Sequence, residues 1–128
     1  PGALWEPVLE DTLGEFIIRQ HLLTFIDDTD KAATAAAGWD GDRLGLWRDS
    51  TGQELVVWQL LWDSESDAEE FAAVYQSVIA GRYANTTQID SMWWQVDGRS
   101  LMLMNEDNLV WLIWAPDRQT SETLMANR

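Results

Sequence analysis

The chain has 128 residues, enough for one domain around one hydrophobic core, and 46% of them are hydrophobic. Twenty-two acidic against eight basic residues give a formal net charge of −14, which repels polyanions and sets nucleic acid aside as a partner. There is no cysteine, so disulfides, thiolate metal sites and a cysteine nucleophile are excluded together, while nine tryptophans argue against a disordered chain.

Residues 1–11 read as a lead-in, since Pro1 and Pro7 discourage helix, with Trp5 expected to anchor it to the body. The chain opens Pro1-Gly2-Ala3 without Met and is expected to be a processed or excised part of something longer. A first helix is predicted from Thr12 to about Ile26, because Thr12 and Glu15 have capping-box spacing. Its apolar residues (Leu13, Phe16, Ile17, Ile18, Leu22, Leu23, Phe25, Ile26) point nearly all round the axis. That pattern predicts a helix buried between the sheet and something else.

Asp27-Asp28-Thr29-Asp30 breaks this helix, and a short Ala-rich one follows over 31–37, with Asp30 as N-cap and Gly38 as terminator. Gly38-Trp39-Asp40-Gly41-Asp42-Arg43 reads as a tight loop, in which Asp42 and Arg43 are expected to pair. Strands are predicted over 43–49 and 54–62, joined by Ser50-Thr51-Gly52-Gln53. The second is apolar on both faces: Leu55, Val57 and Leu61 on one, and Val56, Trp58, Leu60 and Trp62 on the other. It should be a central strand covered on both sides.

Ser64 and Asp67 open the clearest helix, whose stripe is Ala68, Phe71, Ala72, Tyr75, Val78 and Ile79 and which should stop near Gly81. Strands follow over 92–96, 100–104 and 109–114. Asp97-Gly98 is the hairpin turn between the first two, and 106–108 a polar turn before the third. The third is again apolar on both faces, with Leu109, Trp111 and Ile113 against Val110, Leu112 and Trp114. Pro116 ends it, and a short helix or tail begins near Thr120.

The order α-α-β-β-α-β-β-β predicts a single α+β domain over residues 1–128. Two main helices should pack on a largely antiparallel sheet of four to five strands. No stretch reaches the roughly 18 apolar residues of a membrane helix.

No catalytic constellation emerges. His21 is the single histidine, placed mid-helix among apolar neighbours, and no G-x-S-x-G or similar motif supplies a nucleophile for it. One His and no Cys rule out ordinary structural zinc sites. The densest acid clusters, 27–30 and 40–42, do not fit the EF-hand pattern. A carboxylate pair at glycosidase spacing would arise by chance among 22 acids. Gly38 and Gly41 make neither a P-loop nor a dinucleotide fingerprint, and Asn85-Thr86-Thr87 is a short, common match to the glycosylation sequon. No cofactor is expected.

Tryptophan is the remaining signal. Trp58, Trp62, Trp94, Trp111 and Trp114 all fall on predicted strands. Most simply they are core, and otherwise they line a ligand pocket or an interface, with Trp39, Asp40, Asp42 and Arg43 as its rim.

The stretch Ala35-Ala36-Ala37-Gly38-Trp39-Asp40-Gly41-Asp42-Arg43 is followed by Val56-Val57-Trp58 and by Trp62 to Phe71 (WDSESDAEEF). It resembles the C-terminal part of a group of uncharacterised bacterial and archaeal exported proteins or lipoproteins. In these a "GWGGDR" segment precedes "VW" and "WDS…DA.EF" segments. Leu4 to Phe16 is similar too; the likeness covers most of residues 4–75 and fades in the last third. Asp40 stands where the family has Gly. Longer members carry a zincin-like His-Glu-x-x-His helix upstream. This chain has none, so no zinc ligand or catalytic glutamate is carried over. The resemblance implies an extracytoplasmic, non-catalytic accessory domain of a larger protein, with any metallopeptidase-like character belonging to the parent and not to this chain. Either a homodimer or contact with the upstream region of the parent would cover its apolar surfaces.

Overall fold

The computed structural model describes residues 5–25, 29–83 and 85–127. The elements in chain order are β1 (Glu6–Asp11), α1 (Gly14–Phe25), α2 (Thr29–Ala36), β2 (Trp39–Arg48), β3 (Glu54–Trp62) and α3 (Glu65–Arg82). They continue with β4 (Thr86–Gln88), β5 (Trp93–Val96), β6 (Arg99–Glu106), β7 (Leu109–Ala115) and α4 (Arg118–Ala126). Pro1, Gly2, Ala3, Leu4, Ile26, Asp27 and Asp28, named above, lie outside the described residues.

The strands form one antiparallel sheet in the order β1-β2-β3-β7-β6-β5-β4. The α+β class and the antiparallel sheet agree with the sequence reading. Among the described residues the sheet has seven strands, more than the four to five expected, and the two main helices are joined by the short Ala-rich one and a short C-terminal one. The additions are the two edges. β1 arises in the lead-in because proline, barred from helix, is tolerated on an edge strand. β4 is three residues long, too short for any periodicity to register.

The strands with two apolar faces take interior positions, β3 between β2 and β7 and β7 between β3 and β6. On one face Trp58, Leu60, Trp62, Val110, Leu112, Leu101 and Leu103 meet α1, α2 and α3. On the other, Leu55, Val57, Met102 and Ile113 meet Met125 and Leu124 of α4, while Trp5 packs at the margin as expected. The second apolar face is thus largely answered from within the chain by a helix that begins at Asp117, whose side chain accepts from Thr120 N.

Ser64 caps α3 by accepting from Asp67 N, as its spacing predicts. Asp97 (φ 50°) and Gly98 (φ 81°) form the tight turn between β5 and β6. Gly38 terminates α2 at φ +84°, and a Cβ there would lie 2.5 Å from an Asp67 carboxylate oxygen. Gly38→Ala is therefore expected to cost about 2 kcal/mol, combining left-handed strain with displacement of a residue at the α3 N-terminus. Urea denaturation monitored by Trp fluorescence measures it. Gly45 has a different reason: a Cβ would sit 2.3 Å from the Trp47 ring, which lies across it. Gly45→Ala is expected to lift that indole off the sheet, with a red-shifted Trp emission as the readout.

The segment expected to be a loop before residue 43 is instead the start of β2. It carries a bulge between Trp39 and Gly41, where β3 offers Trp62 and Leu61 in succession. α1 also departs from expectation. Only Ile18 and Leu22 are fully buried, Leu23 and Phe25 are half-buried against the core, and Phe16 and Ile17 are 62% and 46% exposed, so the helix is covered on one side and bare at its first turn on the other.

Candidate functional site

Asp42 sits just after the β2 bulge, on the sheet face that carries α1 and α3. Its carboxylate accepts four N–H donors. Oδ1 takes Gly14 N at 2.9 Å and Trp39 Nε1 at 3.0 Å; Oδ2 takes Leu13 N at 2.9 Å and Trp58 Nε1 at 3.0 Å. The amides of Leu13 and Gly14 lie at the N-terminus of α1, where helix amides lack internal partners and a negative charge is favoured. The helix is thus capped from 28 residues away. Thr12 does not cap it: its own N–H donates to Asp11.

Asp42 and Arg43 do not pair. Successive strand residues point to opposite faces, so Arg43 turns away and forms an ion pair with Glu10 of β1. Asp40 is exposed at the bulge.

From Asp42 the contacts run inward through Trp58, whose ring meets His21 edge-on at 5.9 Å, Tyr75 at 6.2 Å and Phe71 at 6.4 Å. His21 Nε2 and the Tyr75 hydroxyl share a hydrogen bond of 2.8 Å, and Phe25 closes on the imidazole at 5.6 Å. Burial, and secondarily the nearby Arg82 guanidinium, push the His21 pKa down to about 4. Burial raises that of Tyr75. At neutral pH both are uncharged, so the pair consists of a weak base and a phenol held protonated, with no nucleophile between them. Arg82, at the end of α3, lies over the rings of Phe25, Tyr83 and Trp114 at 5.9, 5.2 and 5.8 Å.

The tryptophans singled out by the sequence divide between the faces. Trp58, Trp62, Trp94 and Trp114 lie in the core beneath the helices, and Trp39 is half-buried beside them. Trp111 is half-buried on the opposite face, with its Nε1 buried and unpartnered. They do not converge on one cavity. A hollow of about 320 Å³ lies where Gly52, Gln53, Glu54, Gly98, Arg99 and Pro116 meet, and no tryptophan lines it. Among the described residues no group of three or more His, Asp or Glu side chains is placed to hold a metal ion.

Sequence reasoning missed the flank beside β1. Val8 (48%), Leu9 (52%), Phe16 and Ile17 are four of the six large hydrophobic residues that stand exposed among the described residues, and all fall within residues 8–17, on β1 and the first turn of α1. Val8 and Leu9 had no partner strand to suggest their placement, and the α1 pattern alone did not tell which side would be covered.

The sequence matches the model of a family described as a domain of unknown function (DUF8575) over residues 6–125. The chain belongs to that family. No curated protein and no solved structure matches it. The matched span runs from the first residue of β1 into α4, so the flank, the Asp42 hub and the His21–Tyr75 pair all lie inside the DUF8575 unit.

Proposed function

We propose that this DUF8575 domain is a non-catalytic interaction module of a larger, extracytoplasmic protein, and that it associates through the flank formed by β1 and the outer side of α1. One observation carries the reading: Val8 and Leu9 of the edge strand and Phe16 and Ile17 of the helix that follows it are exposed within ten residues of chain, whereas apolar residues on the sheet faces are mostly covered by the chain's own helices. The polar groups that invite a catalytic reading have structural occupations. Asp42 is saturated by four donors, and His21 is neutral against Tyr75. A Trp-lined ligand pocket has less support, because Trp58, Trp62 and Trp94 are core residues.

The extracytoplasmic setting rests on the resemblance of residues 4–75 to exported proteins. A photo-crosslinking residue at position 16, compared with one at exposed Thr51 on the far hairpin, tests the reading in native cells. A discrete protein adduct from position 16 and none from position 51 is the expected result. No adduct from position 16, or the same adducts from both, overturns it.

A further inference from the structure

Resting on that reading, we infer that the partner at this flank is an extended, basic peptide segment that adds to the sheet as a strand beside β1. β1 is the terminal strand, so alternate backbone N–H and C=O groups point away from β2 with no strand among the described residues to meet them. Such an edge recruits strands by main-chain hydrogen bonds, with side-chain character setting the choice of partner.

The side chains here make that choice. β1 with the first turns of α1 presents Glu6, Glu10, Asp11 and Glu15, four carboxylates, against the guanidiniums of Arg43 and Arg19, leaving a net charge of −2 on the flank. Arg43 is already paired with Glu10, and Arg19 lies over the Phe16 ring at 5.8 Å. The whole chain carries −14. A second copy would bring the same acidic strand, and like charges opposed across a strand pair are destabilising.

Pro7 and the bulge at Val8 blunt the first half of the strand against indiscriminate pairing. Regular pairing resumes from Leu9 to Asp11, opposite Leu46, Gly45 and Leu44 of β2. The open stretch is thus short and apolar-acidic, and the fitting segment alternates apolar with Lys or Arg residues. Its apolar side chains would lie on the face of Leu9 and its basic ones on that of Glu10, with Glu6 and Asp11 adding to the negative field.

Two eight-residue peptides test this: one alternating Lys and Val, one alternating Glu and Val, each titrated into the ¹⁵N-labelled protein. With the Lys peptide, amide shifts and slowed hydrogen exchange are expected to concentrate on residues 8–11. Affinity should fall at least tenfold between 50 and 500 mM NaCl, and the Glu peptide should not bind. The double variant Glu6→Lys/Asp11→Lys, altered only at exposed positions, should lose at least tenfold for the Lys peptide while its melting curve stays unchanged.

Shifts spread over the acidic surface of α3, with no protection in β1, would overturn the inference as mere polycation binding. Protection of residues 8–11 without peptide, together with a dimer by light scattering, would overturn it in favour of a second copy. A position-16 adduct with no peptide effect at β1 would leave the interaction reading standing and refute the basic strand.

Discussion

Asp42→Ala is expected to be the most damaging single substitution on this chain's polar residues, lowering stability by about 3–4 kcal/mol. The carboxylate takes two backbone amides at the start of α1 and two indole N–H groups. Hydrogen bonds to a charged acceptor contribute about 1.5–3 kcal/mol each, but they share one group and do not add in full. Some of the stranded donors would regain water, which limits the loss further. For a chain of this length the thermal midpoint should drop by roughly 10–15 °C. Asp42→Asn is the sharper variant. It preserves volume but turns one acceptor atom into a donor facing two N–H groups, so about half the effect should persist, roughly 2 kcal/mol. Urea denaturation of both variants decides it, and an Asn variant as stable as the parent would refute the hub.

The second large effect is a dependence of stability on pH carried by His21. Its folded pKa lies at about 4 and its ordinary value at 6.5. Above 6.5 the imidazole is neutral in folded and unfolded chains alike, and the full stability is present. As pH falls from 6.5 towards 4 the unfolded chain takes up a proton that the folded chain refuses, and stability is lost across that window. Solvent reaches part of the ring, so the loss is set at roughly 2 kcal/mol. His21→Phe removes the titrating group. It costs some stability at pH 7 through the lost bond to Tyr75, but its stability should fall less between pH 6.5 and 4.5 than that of the parent. Carboxylates titrate in both proteins at the lower end of this range, so the difference between the two curves isolates residue 21. Parallel curves would show that the ring is hydrated in the folded state.

Much of the architecture was legible in the residues. The paired faces of 54–62 and 109–114 announced interior strands, because only a strand covered on both sides repeats apolar residues at every position. Ser64 and Asp67 announced the start of α3, since their capping contact is local. What was illegible depended on partners distant in sequence. The Thr12–Glu15 spacing looked like a cap, yet the acceptor of Leu13 and Gly14 is Asp42, and nothing in a four-residue window reveals a donor–acceptor pair 28 and 29 positions apart.

The same limit explains the candidate site. Trp39 and Asp42 were singled out as a rim and Trp58 as core or lining, and the structure joins the three, but as a part-buried hydrogen-bonded knot. Residue type alone cannot separate a tryptophan that offers its N–H to a ligand from one that gives it to a carboxylate of its own chain. The β1 flank escaped notice for the opposite reason. Its residues become informative only once the strand is known to be last in the sheet.

The strand order has a consequence for how the molecule is made. β3 finds its outer partner in β7, so Val56–Leu61 wait for Leu109–Trp114 to be synthesised. During translation the first half of the sheet is complete as β1-β2-β3 while the apolar border of β3 stays bare for about fifty more residues, several seconds at ordinary ribosome speed. That interval is when a nascent chain would be most exposed to mispairing. Slowing elongation between codons 63 and 108 should raise its aggregation more than the same delay placed after β7.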